Sequence, residues 1–305
     1  MAFAPWSAAL AGFRLVRERP WATLAWAGVI FLGRLAGLAL TTAISGPYMP
    51  ALDAAVNADP IKVEAVTVAY QNVAPGFLAG AALVLPFFAV VIAAIYRAYL
   101  KPQEQQGFFL RLGVREGTML GLIVALNILV MFGLSFGIAV IATFAKMIAT
   151  ADAAAGATME ALGFIALAIV ALMVLVRLSL AWPMSFEIGR PWLFRSWRMT
   201  QGYSWRLLGA YVMAEGLMVV VGALLFAVCA CLAGVVLITQ GGVLEQLPDA
   251  LHSAIRVDDV FQPIPLIFSV FEALVLALGL TSIQGVAVSA YRTLPPPPPV
   301  PAPSA

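Results

Sequence analysis

Apolar residues fall in six long blocks, about Trp21–Ser45, Gly76–Tyr99, Gly117–Ala145, Ala161–Ser185, Leu207–Ile238 and Pro263–Ser289. Crossing the hydrocarbon of a bilayer takes roughly 20 mostly apolar residues as a helix. Each block meets that length and outruns any ordinary strand, so its Val, Ile and Leu content predicts helix. The fold class that follows is all-α: a polytopic transmembrane bundle of six spans. Residues 1–294 form one membrane domain, and 295–305 a Pro-rich tail. The tail, with Pro295–Pro299 and Pro301, favours polyproline II and is expected to be disordered. Arg14, Arg17 and Arg19 precede the first block. Its run of about 25 residues exceeds the 7–15 of a secretory h-region, so it is expected to be an uncleaved span.

Composition sharpens the picture. Of 305 residues, 63% are hydrophobic and 10% charged. Soluble domains run about 45–50% and about 25%. So few charges cannot cover a water-soluble surface of this size, which argues against a soluble enzyme, a nucleic-acid binder and a disordered chain. A net charge of +2 suggests no polyanion partner such as nucleic acid.

Charge placement predicts orientation. Twelve of the 17 basic residues lie before the first block, after the last, or in the second and fourth gaps: Arg14, Arg17, Arg19, Arg97, Lys101, Arg111, Arg115, Arg190, Arg195, Arg198, Arg206 and Arg292. The opposite side holds Lys62, Lys146 and Arg256, with Asp53, Asp59, Glu64, Asp152, Glu160, Glu245, Asp249, Asp258 and Asp259. Both termini are therefore expected in the cytoplasm. The seven tryptophans, Trp6, Trp21, Trp26, Trp182, Trp192, Trp197 and Trp205, fall at or near that face, the headgroup level that Trp prefers.

The loop 186–206 reads as a short interfacial helix. Pro191 suits its first turn, Leu193, Phe194 and Trp197 share one side, Arg195 and Arg198 another, Gly202 stops it, and Ser204 caps the next span. The loop before the third span shows a weaker version, with Phe108 and Leu112, and Arg111 and Arg115, each four apart. The equivalent placing of Arg111 and Arg195, and the echo of Tyr96-Arg97 in Tyr291-Arg292, suggest a faint parallel repeat; the commonness of Tyr and Arg at inner boundaries explains it equally well.

The run Val176-Arg177-Leu178-Ser179-Leu180-Ala181, with Pro183, Glu187, Ser196-Trp197-Arg198-Met199-Thr200-Gln201-Gly202 and Trp205-Arg206-Leu207-Leu208-Gly209, resembles a bacterial family, as does the close Ala290-Tyr291-Arg292-Thr293-Leu294. That family is the glycerophosphoryl diester phosphodiesterase membrane domain. The resemblance implies a multi-span protein of the bacterial cytoplasmic membrane. It implies no diesterase activity here, because the histidine and paired acids of the soluble catalytic domain have no counterpart.

Candidate chemistry is sparse. Cys229 and Cys231, two apart in one apolar run, point away from each other on a helix. His252 is the single histidine, and HExxH and CxxC motifs are lacking, so no metal or cofactor is expected. Gly133-Leu134-Ser135-Phe136-Gly137 matches GxSxG but sits mid-span with no histidine beside it. Glycines four apart, here and at Gly33/Gly37, Gly76/Gly80 and Gly117/Gly121, read as close helix packing. Charges inside spans are functional suspects by default. Depth counted at 1.5 Å per residue matches Arg177 with Glu215 and Arg34 with Glu272. These pairs either hold the bundle together or, with Asn127, Ser179 and Gln284, line a polar path. The basic, tryptophan-rich loop, with Trp192, Arg195, Trp197, Arg198, Trp205 and Arg206, suits anionic headgroups. The function expected is therefore non-catalytic: an accessory or scaffold working with lipid, a protein partner or a second copy. A small transporter or channel near Arg34 and Glu272 is the alternative.

Overall fold

A computed structural model describes residues 3–58, 62–241 and 262–294. His252, Arg256, Asp59, Glu245, Asp249, Asp258, Asp259 and the tail 295–305 lie outside the described residues. Eleven α-helices follow one another among those described: α1 (Pro5–Ala9), α2 (Ala11–Glu18), α3 (Pro20–Ser45), α4 (Met49–Val56), α5 (Val63–Leu100), α6 (Val114–Ala149), α7 (Ala153–Leu178), α8 (Ala181–Ile188), α9 (Leu193–Met199), α10 (Ser204–Thr239) and α11 (Pro263–Thr293). Six helical segments are long and apolar enough to span a bilayer, and no strand occurs among the described residues. The protein is thus an all-α multi-pass membrane protein.

Expected boundaries move in the second and fourth spans, the fourth opening at Ala153 rather than Ala161. The second span starts at Val63 rather than Gly76. Its opening turns carry Glu64, Thr67, Gln71 and Asn72, polar enough to end a hydropathy block yet compatible with helix. Helix α7 ends at Leu178, while the apolar segment long enough to span runs on through α8 to Ile188, so the expected end at Ser185 falls inside α8. The chain turns at Ser179 and Leu180 and restarts as α8, which places Pro183 in a first turn where its missing N–H is not needed. Gly189, at φ +75, then ends α8 in the left-handed conformation that glycine adopts most easily.

The spans pack in the order α10, α11, α3, α5, α6, α7. The α3–α5 contact is the most extensive and is built on small residues. A Cβ on Gly80 would lie 2.6 Å from the Gly37 carbonyl oxygen, so the two backbones touch only because both positions are glycine. Thr41 and Ser45 of α3 donate hydroxyl protons to the Gly76 and Val73 carbonyls of α5, at 3.2 and 2.6 Å. Gly137 packs on Leu167 of α7. Gly117, Gly121 and Gly133 face open space, so the packing expected of them does not occur.

One end of the bundle is thick. Here α1, α2, α8 and α9 gather round the ends of α5, α7 and α11, with Phe3, Ala8, Leu180, Met184, Leu207 and Val286 in one buried cluster. We call it the terminal end, since the described residues nearest both chain ends meet there: α2 lies along α11 and a guanidinium nitrogen of Arg292 donates to the Tyr99 carbonyl at 2.5 Å.

Candidate functional site

Arg34 of α3 and Glu272 of α11 form an ion pair of 2.6 Å. The two side chains remain 37% and 52% exposed, so the pair sits on the flank of the bundle rather than inside it. It borders a cavity of about 440 Å³ between α3 and α5, lined by Arg34, Gly37, Thr41, Phe77, Gly80 and Ser269. An unpaired charge near mid-bilayer costs at least about 2.5–3.5 kcal/mol on insertion scales. Pairing across helices removes part of that and ties the first span to the last.

Arg177 and Glu215 do not pair. Arg177 lies in the last turn of α7, just before the chain turns at Ser179 and Leu180 and continues as α8. A cation suits that position, at the negative end of the helix dipole. Its Nε donates to Ser204 Oγ at 3.2 Å, and its guanidinium stacks 4.6 Å from the centre of the Trp197 ring. Its carbonyl, left over at the helix end, accepts from the hydroxyls of Ser196 at 2.5 Å and Thr200 at 3.4 Å. Glu215 is exposed on α10, with no ion-pair partner among the described residues.

Of the other polar candidates, Asn127 and Ser179 bond to neighbouring turns and Gln284 bridges two helices. Asn127 Nδ2 donates to the Ile123 carbonyl one turn back, and Ser179 Oγ to the Val176 carbonyl. Gln284 is buried and accepts a short hydrogen bond from Tyr96 Oη. Ser135 is exposed within the uninterrupted helix α6, without the strand–turn–helix setting a nucleophile elbow requires. Cys229 is buried and Cys231 exposed, and both are free. Among the described residues no three His, Cys, Asp or Glu side chains come together.

The two loops at the terminal end differ from expectation and from each other. The first, between α5 and α6, forms no amphipathic helix. It is a tight turn over Gln106–Phe109, with Gly107, Phe108 and Phe109 all at positive φ. Phe108 and Leu112 stay exposed, while Trp26 Nε1 pins the turn by donating to the Phe108 carbonyl at 3.0 Å. Two consecutive phenylalanines in the left-handed region are strained, and burial of Phe109 helps hold them there.

That turn frames a site the sequence reading passed over. Arg97 is 3% exposed and Glu116 is 5% exposed. They form a close ion pair, and a second guanidinium nitrogen of Arg97 donates to the Phe109 carbonyl. Glu104 faces Arg97 at 3.4 Å, Arg111 at 3.5 Å, and Lys101 and Arg115 at 3.9 Å. Arg97 and Arg115 both lie over the Phe186 ring of α8. The available signal was the acidic residues on the basic side. Glu104 and Glu116 lie among four cations of one loop, where each has a base within reach.

The second loop does hold a short helix, α9, but Pro191 and Trp192 precede it and Ser204 is the first residue of α10, not its cap. Ser196 and Met199 face inward, and Phe194 points out. Gly202, at φ +84, makes the turn. Arg195 stacks on Trp192, with 4.8 Å between them. Trp205, Arg198 and Arg206 are exposed. No carboxylate pairs with any arginine of this loop among the described residues. Compared with known proteins, the chain matches no family model, no curated sequence and no solved structure.

Proposed function

We propose that this chain is a non-catalytic accessory or scaffold protein of a bacterial cytoplasmic membrane, with both termini in the cytoplasm. It works through anionic lipid headgroups, a protein partner or a second copy of itself. One observation carries the reading: among the described residues the exposed arginines of the α9 loop have no acid paired with them, and they alternate with tryptophans that prefer the headgroup level. Each such cation near an anionic surface contributes on the order of 1 kcal/mol. The likeness to the glycerophosphoryl diester phosphodiesterase membrane domain is part of the proposal, resting on Val176–Gly209, and brings no diesterase chemistry with it.

The experiment is extraction with the surrounding lipid in polymer discs, followed by mass spectrometry of lipids and proteins. The expected result is anionic lipid enriched over the bulk membrane, and less so when Arg195, Arg198 and Arg206 are changed together to Gln. No enrichment and no bound protein would overturn the reading. The cavity beside the Arg34–Glu272 pair favours a second reading, a small transporter. Its mark is solute or ion flux in reconstituted vesicles that Glu272→Gln abolishes.

A further inference from the structure

The cleft between α7, α9 and the start of α10 holds about 380 Å³, within the range of small-ligand sites. Its walls are of two kinds. Ile169, Met173 and Arg177 follow one another at four-residue steps, so they stack on one face of α7 with the cation at one end. Trp197 forms the floor below the guanidinium, and Ser204 and Trp205 close the α10 side. Ile169, Val170 and Trp205 are exposed at the rim, so the cleft opens sideways, toward the hydrocarbon around the bundle.

Among the described residues no carboxylate pairs with Arg177, unlike the two other arginines within or at the ends of the spans that do have one. Arg34 has Glu272, and Arg97 has Glu104 and Glu116. The contacts of Arg177 are neutral: the Ser204 hydroxyl and the face of Trp197. The helix end, Ser204 and Trp197 hold the guanidinium, and with no carboxylate paired to it among the described residues its remaining N–H donors are complementary to an anion in the cleft. The occupant must be anionic at the arginine and alkyl along Met173 and Ile169, roughly 12 Å away at 1.5 Å per residue.

We propose that this cleft is a binding site for one anionic glycerophospholipid. Its phosphate pairs with the Arg177 guanidinium, and the upper part of one acyl chain lies along Met173, Val170 and Ile169. Ser204 and Trp197 hold the guanidinium by its Nε and its face, which directs the fork toward the phosphate. This inference rests on the lipid reading above and names the lipid class and the place.

The test is native mass spectrometry of the full chain in detergent, titrated separately with phosphatidylglycerol and with phosphatidylcholine. The wild type is expected to keep one phosphatidylglycerol at activation that strips phosphatidylcholine. Arg177→Gln should weaken that tight adduct at least about tenfold, as loss of a charge-assisted hydrogen bond implies. Ile169→Trp, which fills the groove and keeps the charge, should weaken it too, and it decides the matter if Arg177→Gln does not fold. Lys146→Gln, which removes one positive charge at the far end of α6, should leave the adduct unchanged. A tight adduct that survives in Ile169→Trp and in folded Arg177→Gln overturns the site, as does equal retention of phosphatidylcholine. If anionic lipid is enriched in polymer discs while the adduct ignores both cleft variants, this inference alone fails. If neither enrichment nor adduct is seen, the lipid reading fails with it.

Discussion

Two basic loops close the same end of the bundle, and they treat their charge in opposite ways. Between α5 and α6, Arg97, Lys101, Arg111 and Arg115 surround Glu104 and Glu116, and the central pair is buried. Between α8 and α10, Arg195, Arg198 and Arg206 stand exposed beside tryptophans and have no acid partner among the described residues. Counting Lys and Arg alone makes the loops look alike. Two glutamates make the first an internal clamp between neighbouring spans, and their lack leaves the second facing outward.

The sharpest way to break this contrast is Glu116→Ala. It leaves Arg97 buried and short of a partner, which typically destabilises by about 3–5 kcal/mol. The expected outcome is loss of folded protein in a detergent thermal melt. Arg97→Met with Glu116→Leu, which replaces the pair by apolar groups, should recover much of it. A single variant as stable as the wild type would show that the clamp holds nothing. Next comes Gly107→Ala, which puts a Cβ on a residue at φ +61. A drop of about 1–2 kcal/mol is expected, read as a lower melting temperature. The smallest stability effect belongs to Arg198→Gln in the second loop, within about 0.5 kcal/mol for an exposed substitution. That variant should instead show a weaker rise in melting temperature on adding phosphatidylglycerol. The wild-type rise should shrink at high salt, because exposed charges are screened. A salt-independent response, unchanged in the variant, would place the lipid contact elsewhere.

The spans were legible because hydrocarbon leaves the backbone few ways to satisfy its polar groups. Runs of apolar residues therefore announce helices, and even Pro75 and Pro86 within α5 do not interrupt one. Depth alone joined Arg34 to Glu272, since α3 and α11 are neighbours. The same argument failed for Arg177 and Glu215, because depth carries no information about facing, and Arg177 turns to Ser204 and Trp197 instead. Glycine spacing showed the same limit. Gly37 and Gly80 meet across a real contact, whereas Gly117 and Gly121 have identical spacing and no neighbour. Nothing in a four-residue interval says which face another helix will occupy. The Gly107–Phe109 turn was hidden for a different reason: phenylalanine at positive φ runs against local preference and is imposed by Trp26 and the buried Phe109 ring.

The pairing of the first and last spans also bears on how the protein is made. Arg34 is synthesised early, yet its carboxylate belongs to α11, as does the amide that receives the Tyr96 hydroxyl. Throughout translation of the intervening helices, both groups wait in the nascent chain without their final partners. Until α11 is in place, the spans therefore carry two polar groups whose partners have yet to be made.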